Sequence, residues 1–425
     1  MTTVNSIGGV FVALVALTAT APCTAAQRAV SVHVSLTNQS SVALAWVVTS
    51  VIPPPGRPVF ATFHVERSTD LTQWQKISDP LSATNGTLQF VDPSGTLDRA
   101  FYRVGSEVDL SFANLIGARL DNGELGAANL FGAELFGASL LSADLSHSML
   151  SGADLGSADL TESDLTGADL FGANLLGAKL ESVSLENADL RFSQLGNADL
   201  FAADLTGADL RSAVFDGADL RGVAFRDTKL DENAALDDKS RLIWHIVNEG
   251  PAGLKLRNSD LSFAELAGVD LHGLDLSQTI FTAADLSNTD LRGANLGTAD
   301  LRVADLSGAL LDTNTVVATK WRVVRDLATN GGAGRDLHGI DLSFSFLLDV
   351  SMTNVNLVGA NLSSSAWFRV DLSHGRLSQA NLRDADLNGS DLSFANLRGA
   401  ITNGAIFDQV IFNQTIMPDG SIRPR

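Results

Sequence analysis

Cysteine is almost missing from this chain: Cys23 is the only one among 425 residues. It lies in the opening stretch MTTVNSIGGVFVALVALTATAPCTAAQR, where an apolar run from Ile7 to Ala21 has the length of a signal-peptide core. Small residues from Thr24 to Ala26 suit a cleavage site, so residues 1–26 are read as a signal peptide and the chain as secreted or periplasmic. No Lys or Arg precedes Arg28, so the start is positive only through its α-amine. The run is too short and too rich in small residues to be read as a membrane span. Cleavage would leave no cysteine, which excludes disulfides, a thiol nucleophile and thiolate metal ligands. Basic residues are scarce too, 29 Lys and Arg against 49 Asp and Glu, for a formal net charge of −20. With no cationic excess to neutralise phosphates, binding to nucleic acid is not expected.

What is present falls into two unlike parts. In residues 29–105 the segments SVALAWVV (41–48), FATFHVERS (60–68), TLQFVD (87–92) and AFYRV (100–104) are short and rich in β-branched or aromatic residues. Turn signals separate them: PPPGRP (53–58), ATNG (83–86) and DPSG (92–95). This is the pattern of a small antiparallel β-sandwich with Trp46 in its core. The phrase VERSTDLTQWQKI (65–77), with the later FVDP and AFYRV, resembles the fibronectin type III-like domains of secreted bacterial proteins. That likeness implies a spacer or adhesive module.

From Val108 onward a five-residue rule takes over. Every fifth position from Leu110 to Leu230 is Leu, apart from Phe215 and Phe225. A small residue stands two positions earlier (Ala113, Ala118, Ala128, Ala133, Ala138), usually with Asp or Asn between. The rule resumes from Leu256 to Leu311 and from Leu337 to Leu397, where Met352 and Trp367 replace Leu. A large and a small apolar residue two positions apart face the same way in extended chain. The residue between them faces out, and the remaining two turn the chain. Four such units close a square coil of about twenty residues, and coils then stack at roughly 4.8 Å. No single unit buries its own apolar side, so stability requires the stack.

Tandem A(D/N)LXX units resemble the pentapeptide repeat family, whose fold is a right-handed quadrilateral β-helix. The expected fold class is all-β, with repeat block 1 at 108–230, block 2 at 254–311 and block 3 at 336–412. Two inserts, 231–253 and 312–335, align with one another and carry apolar sets at helical spacing, Leu242, Ile243, Ile246 and Val247 in one and Val323, Val324 and Leu327 in the other. Each is read as one amphipathic helix, closed near Gly250 or Gly331. Arg241 and Arg322 occupy equivalent places, where a salt bridge or carbonyl contact would hold the helix down. The phrase Lys320-Trp321-Arg322 is similar to helical inserts of other bacterial pentapeptide proteins. Residues 413–425 are read as a C-terminal cap, with Pro418, Asp419 and Gly420 ending the array.

No enzyme signature emerges. The histidines (His33, His64, His147, His245, His272, His338 and His374) lack metal-ligand spacing, and no phosphate loop or nucleophile elbow occurs. Stacked acids such as Asp169, Asp189 and Asp209, or Asp199 above Asp219, follow from the repeat consensus. Asp and Asn recur there because their short side chains bond turn backbone. Neither a catalytic residue, a cofactor nor a metal ligand is assigned.

One feature departs from the polar pattern. The position after the inward Leu should face water, yet in block 1 it holds Ile116, Phe131, Phe136, Leu141, Phe171, Leu176 and Phe201. Twenty-residue stacking puts Phe131 and Phe171 in one column, and Ile116, Phe136 and Leu176 in the next. In the later blocks the position is mostly polar. A contiguous apolar patch is seldom left bare on a soluble monomer. The expected occupants are the chain's own sandwich domain, a second copy in a homodimer, or an unknown protein partner. The expected function is a non-enzymatic scaffold for protein interaction or surface attachment. The family resemblance implies an alternative, a DNA-shaped acidic rod that binds gyrase in the cytoplasm. A carbohydrate-active or carbohydrate-binding β-helix is a third reading.

Overall fold

The five-residue period becomes one face and one corner of a square coil. In the unit Ala133-Glu134-Leu135-Phe136-Gly137, Ala133 and Leu135 are buried and Glu134 faces out. The Leu135 N–H donates to the Asp154 carbonyl of the following coil (2.7 Å), and the Glu134 N–H donates to the Ala113 carbonyl of the preceding one (2.9 Å). The Leu135 carbonyl then accepts the Ala138 N–H (2.9 Å), closing a turn around Phe136 and Gly137. Gly137 has φ 65° and Phe136 does not have positive φ, the signs of a type II turn. Glu134 bridges Asn114 on one side and Asp154 on the other, both parallel, so each coil holds four units. Most faces are single bridges. Phe346–Leu348 and Ala366–Phe368 lengthen into strands, paired with each other in parallel.

The computed structural model describes residues 110–424 in full, and between Val4 and Asp109 only the backbone of nine strands. Val30–Asn38, Ser41–Val48 and Gly86–Val91 form one antiparallel sheet. Phe60–Ser68 pairs with Gln75–Lys76, Leu81–Ala83 and Phe101–Asp109 in another. The side chains of this region, Trp46 among them, and with them the expected sandwich core, lie outside the described residues. So does the expected cleavage site.

The chain divides into two compact units, Met1–Asp237 and Asp238–Arg425. In the first, block 1 runs one face further than its leucines indicate: Val214 bridges Ala235, one residue beyond the usual interval. The extra residue is absorbed by Asp231, whose carboxylate accepts the N–H groups of Asn233 (3.2 Å) and Ala234 (2.9 Å). Block 2 in the second unit ends the same way, with Val316 bridging Asn295 and the Asp312 carboxylate gathering the N–H groups of Asn314 and Thr315. The inserts therefore start later than residues 231 and 312, because one added residue hides a face that is still stacked. Block 3 likewise extends past residue 412, since Ile416 bridges Asn396. Thr415–Ile416 then pairs with Ile422–Arg423 in the closing hairpin.

Helix α1 spans Asp238–Asn248 and buries Ile243 and Ile246. Helix α2 spans Thr319–Asn330, buries Val324 and Leu327 against the leucines of block 3, and is closed by Gly331 at φ 75°. Helix α2 is looped out of the stack: the Val303 N–H donates to the Phe344 carbonyl (2.7 Å), so on that face the coils before and after the helix join directly. Leaving the coil strips carbonyls of their next-coil donors, and arginines replace them. Arg325 Nε donates to the Ala309 carbonyl (2.6 Å), while the Arg322 guanidinium serves the carbonyls of Asp312 (3.1 Å) and Thr315. Arg322 thus holds the helix down by carbonyl contacts.

Candidate protein-interaction surface

The seven apolar residues of block 1 lie on three corners of the coil. Phe131 and Phe171 share the first, Ile116, Phe136 and Leu176 the second, and Leu141 and Phe201 the third. The first two corners border one face, whose outward residues are Asn114, Glu134, Asp154, Asn174 and Gln194. Five of the seven therefore form one surface of two apolar ridges flanking a polar strip. Leu141 and Phe201 do not belong to it. Phe201 is half-buried, with the Arg221 guanidinium 5.5 Å from its ring centre.

Three further residues extend the surface. Phe112 and Phe192 occupy the second corner position on the Phe131 column, and Met149 lies on the adjoining face. Phe112 packs edge-on to Phe131 (5.4 Å between ring centres) and Phe192 edge-on to Phe171 (5.3 Å). The sequence held a signal for them, since both fall at twenty-residue intervals beside the expected phenylalanines. Both have positive φ, 54° at Phe112 and 60° at Phe192. A bulky side chain in the left-handed region costs roughly 1–2 kcal/mol that Gly would not. Yet Phe192 remains 53% exposed, so it recovers little of this by burial.

Glycines of the following coil make room for these side chains. A Cβ on Gly156 would lie 3.0 Å from the Phe136 ring, and one on Gly196 2.9 Å from a Leu176 methyl. The side chains thus lean along the stack and cover bare backbone, yet Phe131, Phe136 and Leu176 stay close to half exposed (47%, 48% and 48%). The apolar excess is not confined to block 1. The second unit also exposes Phe344, Leu348, Phe394, Ile401, Ile406 and Ile411, of which only Leu348 stands directly after an inward Leu. The others occupy the second corner position or the mid-face position.

The outward Asp and Asn side chains mainly serve the turns. Asn129, Asp169 and Asp199 accept the N–H two residues on, from Phe131 (3.2 Å), Phe171 (3.1 Å) and Phe201 (3.1 Å). Where Arg follows the inward Leu, it doubles back onto the preceding Asp. Arg191 bonds Asp189 through both Nε (2.8 Å) and Nη2 (2.6 Å), and Arg211, Arg221, Arg292 and Arg302 repeat the pair. The guanidinium hydrogen bonds hold the carboxyls of Asp189, Asp209, Asp219, Asp290 and Asp300 below the usual range, Asp290 at about 2. Arg191 also approaches Asp209 of the next coil (3.9 Å), so this acid column is partly neutralised. Among the described residues no group of three or more His, Cys, Asp or Glu is arranged to hold a metal ion, and no helix is long and apolar enough to cross a membrane.

The family model for pentapeptide repeats matches this chain in eight copies, over residues 128–167, 163–201, 193–231, 252–282, 280–312, 368–401 and 376–417, together half of its length. The chain belongs to the pentapeptide repeat family. It is similar to solved pentapeptide repeat proteins of two cyanobacteria. HetL of Nostoc sp. strain PCC 7120, involved in regulating heterocyst differentiation, is 27% identical over 73% of this chain and 92% of its own, with a TM-score of 0.18. Rfr23 of Cyanothece 51142 is 29% identical over 30% of this chain and 91% of its own, with a TM-score of 0.19. QnrB1, a plasmid-mediated fluoroquinolone resistance protein, is 12% identical over 71% of this chain and 91% of its own, with a TM-score of 0.17. None superposes on the chain as a whole. No curated protein matches it.

Proposed function

We propose that this pentapeptide repeat protein is an exported, non-enzymatic scaffold that holds a protein-binding surface on block 1. The observation that carries the reading is the pair of exposed apolar ridges on adjacent corners, headed by Phe131, Phe171, Phe136 and Leu176. Folding gives no reason for them, since other coils of block 1 hold Ser151, Gly156, Arg191 or Gly196 on the same two corners. Interaction surfaces are where soluble proteins keep such residues. Export rests on the N-terminal apolar run and on the cysteine-free chain that cleavage would leave.

The test is photo-crosslinking in cells, with a benzophenone amino acid in place of Phe131 or Phe171 and, as control, of Thr206 on the fourth corner. A discrete adduct from the two Phe positions and none from Thr206 is the expected result. Equal labelling at all three sites, or none at any, overturns the proposal. Fractionation of the same cells checks export: the shortened chain belongs outside the cytoplasm.

The DNA-shaped alternative draws on the net charge of −20. Against it, Asp189, Asp209 and Asp219 carry bidentate arginines, whereas duplex phosphates present unpaired charge.

A further inference from the structure

Charge separates the three occupants that the apolar surface admits. Between residues 110 and 186 the chain carries Arg119 and Lys179 as its only bases, against eleven carboxylates. Two of these, Glu134 and Asp154, stand on the strip between the ridges, and Asp169 lies beside Phe171. Asp154 bonds the Asn174 amide (2.8 Å) and the Gly156 N–H (3.1 Å). Among the described residues no Lys or Arg side chain pairs with Glu134, Asp154 or Asp169 within 4.0 Å. Arginines pair with the acid columns from Arg191 onward, and Arg191 also lies over the Phe171 ring (5.3 Å), so the least neutralised part of the surface is its Phe131–Phe136 end, around Glu134 and Asp154.

A second copy would bring the same acidic surface against itself, and like charges facing each other oppose association. Residues 29–105 hold five Lys or Arg and five Asp or Glu, so the neighbouring domain offers no complementary excess. We infer that the occupant is a cationic amphipathic segment of another protein. Its apolar residues lie on the Phe131 and Phe136 corners and its Lys or Arg over the Glu134–Asp154 strip. This rests on the interaction reading above and adds the chemistry of the partner. The ridges suit such a segment: Phe131 and Phe171 stand two coils apart, on the order of 10 Å, with Ser151 and Gly152 recessed between them. That spacing seats side chains of an extended or helical partner two to three turns long.

The experiment uses the full chain and two labelled synthetic peptides of about eighteen residues, one alternating Leu with Lys on amphipathic spacing and one with Glu in place of Lys. The Leu/Lys peptide is expected to bind, and the Leu/Glu peptide to bind at least about tenfold more weakly. Phe131→Ser with Phe171→Ser should weaken the Leu/Lys peptide about tenfold, and Phe394→Ser on block 3 should leave it unchanged. Raising salt from about 0.05 to about 0.5 M should weaken it several-fold more, and Glu134→Gln should weaken it a few-fold. If both peptides bind equally and both depend on Phe131 and Phe171, the surface stands and the cationic partner is overturned. If the Leu/Lys peptide ignores the double substitution, binding lies elsewhere and the interaction surface falls with it. Unchanged melting of the variants confirms that both read binding and not folding.

Discussion

Trp367 stands on a face where Leu347 precedes it and Leu387 follows, and it is fully buried. Its indole N–H would be orphaned in a leucine core, but Ser345 in the preceding coil occupies a position usually held by Ala and accepts it (2.8 Å). Ser345→Ala is expected to cost about 1–3 kcal/mol, the penalty for a buried unpaired donor, with thermal melting as the check. Ser148 gives the reverse case. It is fully buried, and its hydroxyl has no partner in the structure, whereas Ser163, Ser193 and Ser365 bond the carbonyl three residues back. Ser148→Ala should therefore be neutral or stabilise by about 1 kcal/mol, while Ser163→Ala should not. Phe192 separates folding from binding. Phe192→Asn relieves the left-handed backbone but gives up the Phe171 pairing, so stability should stay within about 1 kcal/mol. Peptide binding should nevertheless weaken, and a large loss of stability would instead mark Phe192 as structural.

Helix α2 shows how an element leaves a solenoid without unravelling it. The coils join at Val303 and Phe344, Val324 and Leu327 enter the core, and Arg322 and Arg325 replace the missing backbone donors. Arg322 serves two carbonyls at once, a geometry that lysine does not reproduce. Arg322→Ala is expected to cost about 1–3 kcal/mol and to speed hydrogen exchange selectively over residues 312–330, with Arg322→Lys restoring only part of the loss. Uniformly faster exchange across block 3 would contradict this local role. The helix itself was legible from the spacing of Val323, Val324 and Leu327. Its starting point was not, because Asp312 absorbs one residue and hides the last stacked face.

At the scale of the whole molecule, acid stability follows from the turns. Arg292 holds the Asp290 carboxyl at about 2, and the Gly293 N–H with the Thr315 hydroxyl holds Asp312 at about 2, against an ordinary value of 3.8. A carboxyl depressed in the folded state stabilises it above the unfolded value and loses that contribution as pH falls toward the folded one. Many aspartates of the array share this sign. Asp305, pushed up by burial, runs the other way. The melting temperature should hold steady from pH 7 to about 5 and fall between about 4 and 2. A decline already complete by pH 5 would contradict the assignment, and Arg292→Ala should move the acid limb upward.

The repeat, its twenty-residue coil and the columns of outward phenylalanines were readable from the chain because each unit closes its own turn: Leu135, Phe136, Gly137 and Ala138 suffice for one corner. Counting in twenties assigns Phe131 to Phe171, and would equally have separated Leu141 and Phe201 and brought in Phe112, Phe192 and Met149. Tertiary structure alone decided which way side chains lean, as with Phe136 over Gly156, and which outward residues remain open. It also decided that helix α2 is expelled from the stack and that arginines serve the carbonyls it abandons. Those outcomes depend on contacts between residues one or two coils apart, whose directions no five-residue pattern carries.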